Sequence, residues 1–536
     1  MTQQTGILKK RTFLYLTEFF SGMSVMAVEL GASRLIAPYF SSSQIVWTII
    51  IGTIMIAMAA GNVYGGRKAD MDPSPERIYR RILIAAVYIA AIPAVGKYVI
   101  IGISGILIFT VDTNFLIIAA FVCCLLLFAF PLFLLGTVTP SLAKACVNNL
   151  SDSGRVVGNL GAFQTIGSII GTFIPTFVSI PAVGTAATFL IFAGILLAIC
   201  LVFYLSVKGG KRRLIIGIAL FVICCIFGRE SAFAFWQTDL VYEGESIYNY
   251  LQVYEDDRQV ALSTNVLFGV QSVYQKDEGL TGLYYDYVLA APSMAAYSEK
   301  VSPRMLVLGM GSGTAATLCG RFYPQLEIEG VEIDQKITDL SYRYFHLPED
   351  MPVATYDGRA YLQVSGRKYD VILVDAYQDI TIPFQMSTTE FFTLVREHLS
   401  DDGVMVVNMN MRGGSGDDIA SYLADTICAV FGGAYVIDPP YTTNRVLYAA
   451  NGDGCLDNLV RDASRITDST LSAHLGMIKD NIRPWNAGGH ILTDDRAPVE
   501  LLGVKALDGI IAEETGYYKT IFQEEGLGGL LRALSP

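Results

Sequence analysis

The sequence predicts an α-helical membrane bundle followed by a doubly wound α/β domain, and three observations carry that expectation. The 536 residues are 52% hydrophobic and only 16% charged, with a mean hydropathy of +0.44, too apolar for an ordinary soluble chain. Charge is divided: residues 1–228 hold 16 Lys and Arg against 7 Asp and Glu, whereas the remainder holds 22 against 43. Met305–Asp375 alternates apolar strands with helix-compatible runs and puts carboxylates at strand ends. That is the pattern of a parallel sheet whose ligand sits outside the carboxyl ends of its strands.

In the first half, apolar segments of spanning length occur near Thr12–Phe40, Gln44–Val63, Ile82–Ile101, Asn114–Leu135, Phe163–Ile180, Ala186–Val207 and Leu214–Phe227. They predict about seven spans within residues 1–229, a multi-pass cell-membrane protein with the lipid bilayer as a partner. Ile103–Thr110 reads as a re-entrant or interfacial piece. Lys9-Lys10-Arg11 precede the first apolar run with no convincing small-residue cleavage site after it, so this run reads as a membrane helix and not a removed signal. Gly61, Gly65 and Gly66, and again Gly167 and Gly171, have the four-residue spacing of closely packed helices. Glu29 and Arg34 are too costly to face lipid and are expected to face the bundle or an interface. Basic residues place the N-terminus, the loop Arg67 to Arg81, the loop of Lys144 and Arg155, and Lys211–Arg213 in the cytoplasm. If Leu214–Phe227 crosses, the acidic domain lies outside; if it does not, the domain is cytoplasmic, the side a cytosolic cofactor favours.

After the boundary, residues 230–300 read as a small β subdomain. Tyr248–Tyr254 and Gln259–Ser263 alternate across Asp256-Asp257-Arg258 as a hairpin. Residues 301–502 form the α/β domain, and 503–536 a helical tail with apolar residues at helical spacing. At the heart of the α/β domain, Met-Leu-Val-Leu runs into Gly309-Met-Gly311-Ser-Gly313. Gly309 and Gly311 allow a sharp turn and close approach to a ligand, and Gly313 allows the following helix to pack on the strand. Glu332, about twenty residues on, stands where a carboxylate accepts hydrogen bonds from a ribose diol. Asp357-Gly358, before the next strand, stands where an acidic side chain reaches an adenine amino group. Strand, glycine turn, helix and strand-end Glu together predict a Rossmann-like nucleoside site. The nine cysteines include no Cys-x-x-Cys, and the four histidines lack metal-ligand spacing, so neither a disulfide framework nor a metal is expected. The acidic balance argues against nucleic acid and suits a cationic substrate, although a solvated acidic surface explains it equally well.

From about Ile247 to Glu500 the chain resembles the spermidine synthase (polyamine aminopropyltransferase) family. The matching pieces are Gln271-Ser272, Lys276-Asp277-Glu278, the glycine turn, Val331–Asp334, Asp357-Gly358-Arg359, Tyr369–Asp375 and Thr388–Phe392. The membrane half, with Gly136–Pro140 and Gly158–Gly161, and the late run Leu492–Glu500 are similar to a membrane-fused form of that family. The resemblance implies a class I methyltransferase-type fold, decarboxylated S-adenosylmethionine or S-adenosylmethionine as co-substrate, a polyamine such as putrescine as acceptor, and pairing of the β subdomains into a homodimer. It implies that Gln271, Gly309, Gly311, Gly313, Glu332, Asp357 and Gly358 bind the nucleoside and that Asp375 accepts the amine's proton. The chain departs from the family at Ser312 and Gln378, where the family has aspartates, and at Tyr284-Tyr285-Asp286, where it has Tyr-His-Glu. Asp379, one residue after Gln378, is the candidate replacement ligand for the amine. A methyltransferase on the same fold and a non-catalytic nucleoside or polyamine sensor are the alternatives.

Overall fold

In the computed structural model, residues 11–111, 114–147, 150–207, 209–228, 233, 237, 239–266, 270–277, 279–377, 382–410 and 418–534 are described. The chain divides into two compact units, Met1–Thr238 with Glu243–Tyr250, and Asp239–Tyr242 with Leu251–Pro536.

The first unit is helical: α1 (Arg11–Phe40), α2 (Gln44–Met71), α3 (Pro75–Thr110), α4 (Phe115–Cys146), α5 (Ser153–Ser206) and α6 (Lys211–Gly228). Among the described residues, the first five of these runs are long and apolar enough to cross a membrane. The 54 residues of α5 are too long for one crossing, and Gly184 breaks the run at φ +81°. The sequence-predicted spans Phe163–Ile180 and Ala186–Val207 fall on either side of that break. Helix α6 has 18 residues that begin Lys211-Arg212-Arg213, and it is not among the five. Ile103–Thr110, read as a re-entrant or interfacial piece, is the continuous end of α3, which carries Pro93 within it. The helical runs continue through Pro131 and Pro175, with π-helical turns at Leu125–Ala129 and Pro175–Ser179.

The spaced glycines pack as their spacing predicts. A Cβ on Gly167 or Gly171 would lie 2.0 or 2.1 Å from the carbonyl oxygens of Phe19 and Met23 in α1, and one on Gly61 would lie 2.2 Å from that of Phe133 in α4. Only hydrogen fits between backbones this close.

In the second unit the strands are β1 (Leu240–Glu245), β2 (Tyr250–Glu255), β3 (Gln259–Ser263), β4 (Ser272–Gln275), β5 (Arg304–Leu308), β6 (Glu327–Glu332), β7 (Val353–Thr355), β8 (Tyr369–Val374), β9 (Leu399–Met409), β10 (Tyr435–Ile437), β11 (Arg445–Ala450) and β12 (Arg483–Pro484). The first four form a separate small sheet. Strands β2 and β3 make the predicted hairpin, and Asp256 holds its turn by accepting from the backbone N–H of Arg258 and Gln259 at 2.7 and 2.8 Å.

The other eight form one sheet in the order β12–β10–β11–β9–β8–β5–β6–β7. Neighbours from β9 to β7 are parallel, and β11 joins β9 antiparallel. Both faces are covered, which explains the apolar runs Met305–Leu308 in β5 and Val371–Val374 in β8. Met305, Val307, Val371 and Leu373 pack on one face with helices Thr314–Phe322 and Ser469–Asn481. Leu306, Leu308, Ile372 and Val374 pack on the other with Thr389–His398 and Ile419–Phe431. The chain winds outward from β5 through β6 to β7 and then crosses back to β8. The switch point, where such sheets open a crevice for ligand, is therefore between the carboxyl ends of β5 and β8.

Candidate active site

Two loops meet at that crevice. After β5 the backbone adopts φ of +87° at Gly309, +53° at Gly311 and +80° at Gly313, a region side chains avoid. A Cβ on Gly309 would stand 2.5 Å from the Asp375 carbonyl oxygen and 2.6 Å from the Ala376 Cα. The glycine that frees the β5 turn is thus the residue that lets the loop after β8 lie against it.

Glu332, at the end of β6 and 7% exposed, braces the same turn. Its Oε2 accepts from Gly311 N–H at 2.9 Å and its Oε1 from Asp334 N–H at 3.1 Å. Burial pushes its pKa up, against the opposing pull of these two donors. A carboxylate has about four acceptor sites, so one that holds these backbone donors can still accept from a diol. Ser272 joins the site from β4, its Oγ accepting from Ser312 N–H at 3.3 Å. Ser312, in the position of a family aspartate, spends its hydroxyl on Thr314 Oγ1 at 2.9 Å and is buried.

Asp375 follows β8, its N–H donating to Leu308 O at 2.9 Å. Its carboxylate receives two side-chain donors: Tyr284 Oη–H to Oδ2 at 2.7 Å and Asn408 Nδ2–H to Oδ1 at 2.9 Å. Asn408 is oriented in turn by Asn444, whose Nδ2–H donates to Asn408 Oδ1 at 2.9 Å. Tyr377 donates its hydroxyl to the Asn408 carbonyl and accepts from Asn410 N–H at 3.2 Å. Desolvation raises the Asp375 pKa to about 6, and the two donors hold it from going higher. The carboxylate is ionised at neutral pH yet basic enough to take a proton, the poise a general base needs. Replacing Tyr284 by Phe removes a donor to the charged form, so the carboxyl pKa should rise above about 6. A carbon-13 NMR titration of Asp375 in Y284F checks the direction.

The structure brings Gly309, Gly311, Glu332 and Asp375 to one crevice. Gln271 enters the neighbourhood through its backbone, its carbonyl accepting from Tyr285 Oη at 3.3 Å. Gly313 N-caps the following helix, and a Cβ there would lie 2.4 Å from Leu347 Cδ1. Asp357 is the N-cap of helix Gly358–Val364, its Oδ1 accepting from Ala360 N–H at 2.8 Å. Asp379 and Gln378 lie outside the described residues. Asp286 is 2% exposed and braces a turn, accepting from Thr281 N–H and Gly282 N–H at 2.8 and 2.7 Å. Asn408, Asn444 and the contact of Tyr284 with Asp375 went unread in the sequence. They join positions 36 to 91 apart, with no motif spacing to reveal them; an Asn near the end of the apolar run of β9 is the only signal.

Residues 288–450 match the spermine/spermidine synthase domain. A probable polyamine aminopropyl transferase of Bifidobacterium longum is 50% identical over 351 residues, covering 62% of this chain and 78% of that protein. The chain belongs to the polyamine aminopropyltransferase family. As a member of that family it is a transferase. A polyamine aminopropyltransferase of Vibrio vulnificus is 26% identical over 299 residues, covering 53% of this chain and 98% of that one. Among solved structures, a probable spermidine synthase from Corynebacterium glutamicum is similar at a TM-score of 0.38 and 18% identity, over 48% of this chain and 97% of that chain. The aminopropyltransferase motifs also meet one another in space. Arg359, from Asp357-Gly358-Arg359, forms a fork of hydrogen bonds at 2.7 and 2.6 Å to Asp494 in Leu492–Glu500. Asp494 also accepts from Thr388 Oγ1 at 2.7 Å. Three separate family signatures thus close one structural clamp, with the bidentate geometry that arginine favours.

Proposed function

We propose that this chain is a membrane-anchored enzyme that moves an aminopropyl group from decarboxylated S-adenosylmethionine to a diamine such as putrescine, at the crevice between Gly309 and Asp375. The observation that carries the reading is the Asp375 carboxylate, held at the switch point by Tyr284 and Asn408 with its pKa raised to about 6. Glu332 holds the ribose diol, the Gly309–Gly313 turn makes room for the nucleoside, and Gln271, Asp357 and Gly358 line its far side. Asp375 takes a proton from the acceptor's ammonium group, freeing the nitrogen lone pair. That pair attacks the methylene carbon beside the sulfonium; a nitrogen–carbon bond forms, the carbon–sulfur bond breaks, and its electrons leave on a neutral methylthio nucleoside. Asp379 is the proposed ligand for the acceptor's second ammonium group. Calorimetry on the full-length chain tests the nucleoside half. Saturable binding of the decarboxylated compound supports it, and failure of both that compound and S-adenosylmethionine to bind ends it.

The membrane reading rests on the five long apolar helices. Within the first unit, Tyr39 Oη donates to Phe233 O at 3.0 Å, Thr185 N–H to Glu245 Oε2 at 2.6 Å, and Arg34 to Ile247 O. The segment leading out of the bundle is thereby held near the Phe40 end of α1, about 40 Å from Arg11. Arg11 pairs with Asp152, Lys144 with Asp70 and Arg213 with Glu76 toward the other end. The positive-inside rule makes that basic end cytoplasmic. We take α6 as a further crossing although it is not among the five runs, and the exit from the bundle then lies outside; without that crossing the unit is cytoplasmic, the side a cytosolic cofactor favours. The natural cysteines of the catalytic unit are buried, so the test needs a new one at Val301, which is 97% exposed. V301C should react with an impermeant maleimide in intact cells; reaction only after permeabilisation would put the unit in the cytoplasm.

A further inference from the structure

The helical unit contains a buried carboxylate that nothing in the transfer reaction uses. Glu18 lies on α1 two turns in from Arg11 and is 1% exposed. Its Oε1 accepts from Thr139 Oγ1 at 2.5 Å. Its Oε2 is buried with no hydrogen-bond partner, and so is the hydroxyl of Ser21, three residues along the same face of the helix. Among the described residues no basic side chain forms an ion pair with Glu18.

A neutral Glu18 can give its proton to Thr139 Oγ1, but the ionised form is not satisfied by the chain alone. An ionised carboxylate in a bundle interior needs a cation. A metal ion fits poorly, because hard cations take six or more oxygens, and no cluster of three acidic, His or Cys ligands exists among the described residues. What the site offers is one negative charge and two open acceptors, Glu18 Oε2 and Ser21 Oγ, against a group that donates several N–H bonds. Beside it, Thr17 Oγ1 meets Tyr79 Oη at 3.0 Å, and Tyr79 stacks between Phe13 and Phe203 with ring centroids 5.7 and 4.0 Å away. Tyr79 is fully buried between those two rings, so the groups left to bond an ammonium are the Glu18 carboxylate and the Ser21 hydroxyl.

We infer that Glu18 and Ser21 form a second, non-catalytic polyamine site in the helical unit, taking a primary ammonium group at the Glu18 carboxylate. The choice of ligand rests on the aminopropyltransferase reading of the other unit, and the test separates the two. Full-length protein in lipid nanodiscs is titrated with radiolabelled spermidine, and aminopropyl transfer is assayed on the same preparations. Wild type should bind two spermidine molecules per chain and E18Q one, with transfer unchanged. S21A, which loses one hydrogen bond to a charged group, should bind at the second site about 10-fold more weakly, and it serves if E18Q fails to fold. Equal stoichiometry in wild type and E18Q, or unaltered affinity in S21A when E18Q cannot be made, overturns the inference even if transfer proceeds. Absence of transfer with E18Q still one site short overturns the enzymatic reading and leaves the Glu18 site standing.

Discussion

Asp375→Asn should reduce aminopropyl transfer about 10²- to 10⁴-fold, the usual contribution of a positioned general base, while leaving nucleoside binding within a few fold. The amide has the carboxylate's shape but accepts no proton. It should not lower stability. The carboxyl pKa is raised in the folded protein from 3.8 to about 6 by burial, so the protonated form is the one that folding favours. Its contribution is complete below about pH 3.8 and is lost as pH rises through about 6. At neutral pH the wild type carries a buried charge that the asparagine variant does not. Thermal melts at pH 7.5 should place D375N at or above wild type, and the dependence of melting on pH between about 4 and 6 should flatten in the variant. A large loss of melting temperature together with lost activity would mean that Asp375 is structural.

Gly309→Ala should be the most damaging single methyl in the catalytic unit. The new Cβ would sit 2.5 Å from the Asp375 carbonyl oxygen, and the backbone at φ +87° is one that alanine resists. A left-handed conformation costs about 1–2 kcal/mol and overpacking about 1–3 kcal/mol, so denaturant melts should report a loss of about 2–5 kcal/mol. Relief comes only by moving the β5 turn away from the loop that carries Asp375. Residual folded protein should therefore also show weakened nucleoside binding. Gly432→Ala is the control, since it shares the positive φ but meets nothing within 4 Å; it should lose about 1–2 kcal/mol and keep its binding.

How much of this was legible beforehand depends on whether the information is local. Strands β5 and β8 read directly, because strands buried on both faces are apolar along most of their length. The three glycines read because only glycine tolerates those dihedral angles, and Asp375 because it ends a strand at a motif position. Asn408 and Asn444 did not read. Asn408 lies on β9 and Asn444 immediately before β11, strands that pair antiparallel, and their hydrogen bond exists only once that pairing is made. Asp357 is ambiguous for a different reason, since the short acidic side chain that can contact a ligand is also what caps a helix. Ile103–Thr110, read as a re-entrant or interfacial piece from its separate patch of hydropathy, continues the helix that begins at Pro75.

The central claim is that one crevice holds an adenosyl sulfonium compound and an amine within reach of Asp375. Its most direct measurement is mass-spectrometric detection of the aminopropylated amine and the methylthio nucleoside, using purified full-length chain, decarboxylated S-adenosylmethionine and putrescine. The two products should appear in equal amounts with wild type and fall at least about 100-fold with D375N. Nucleoside binding without either product, across a panel of diamines, would contradict the claim.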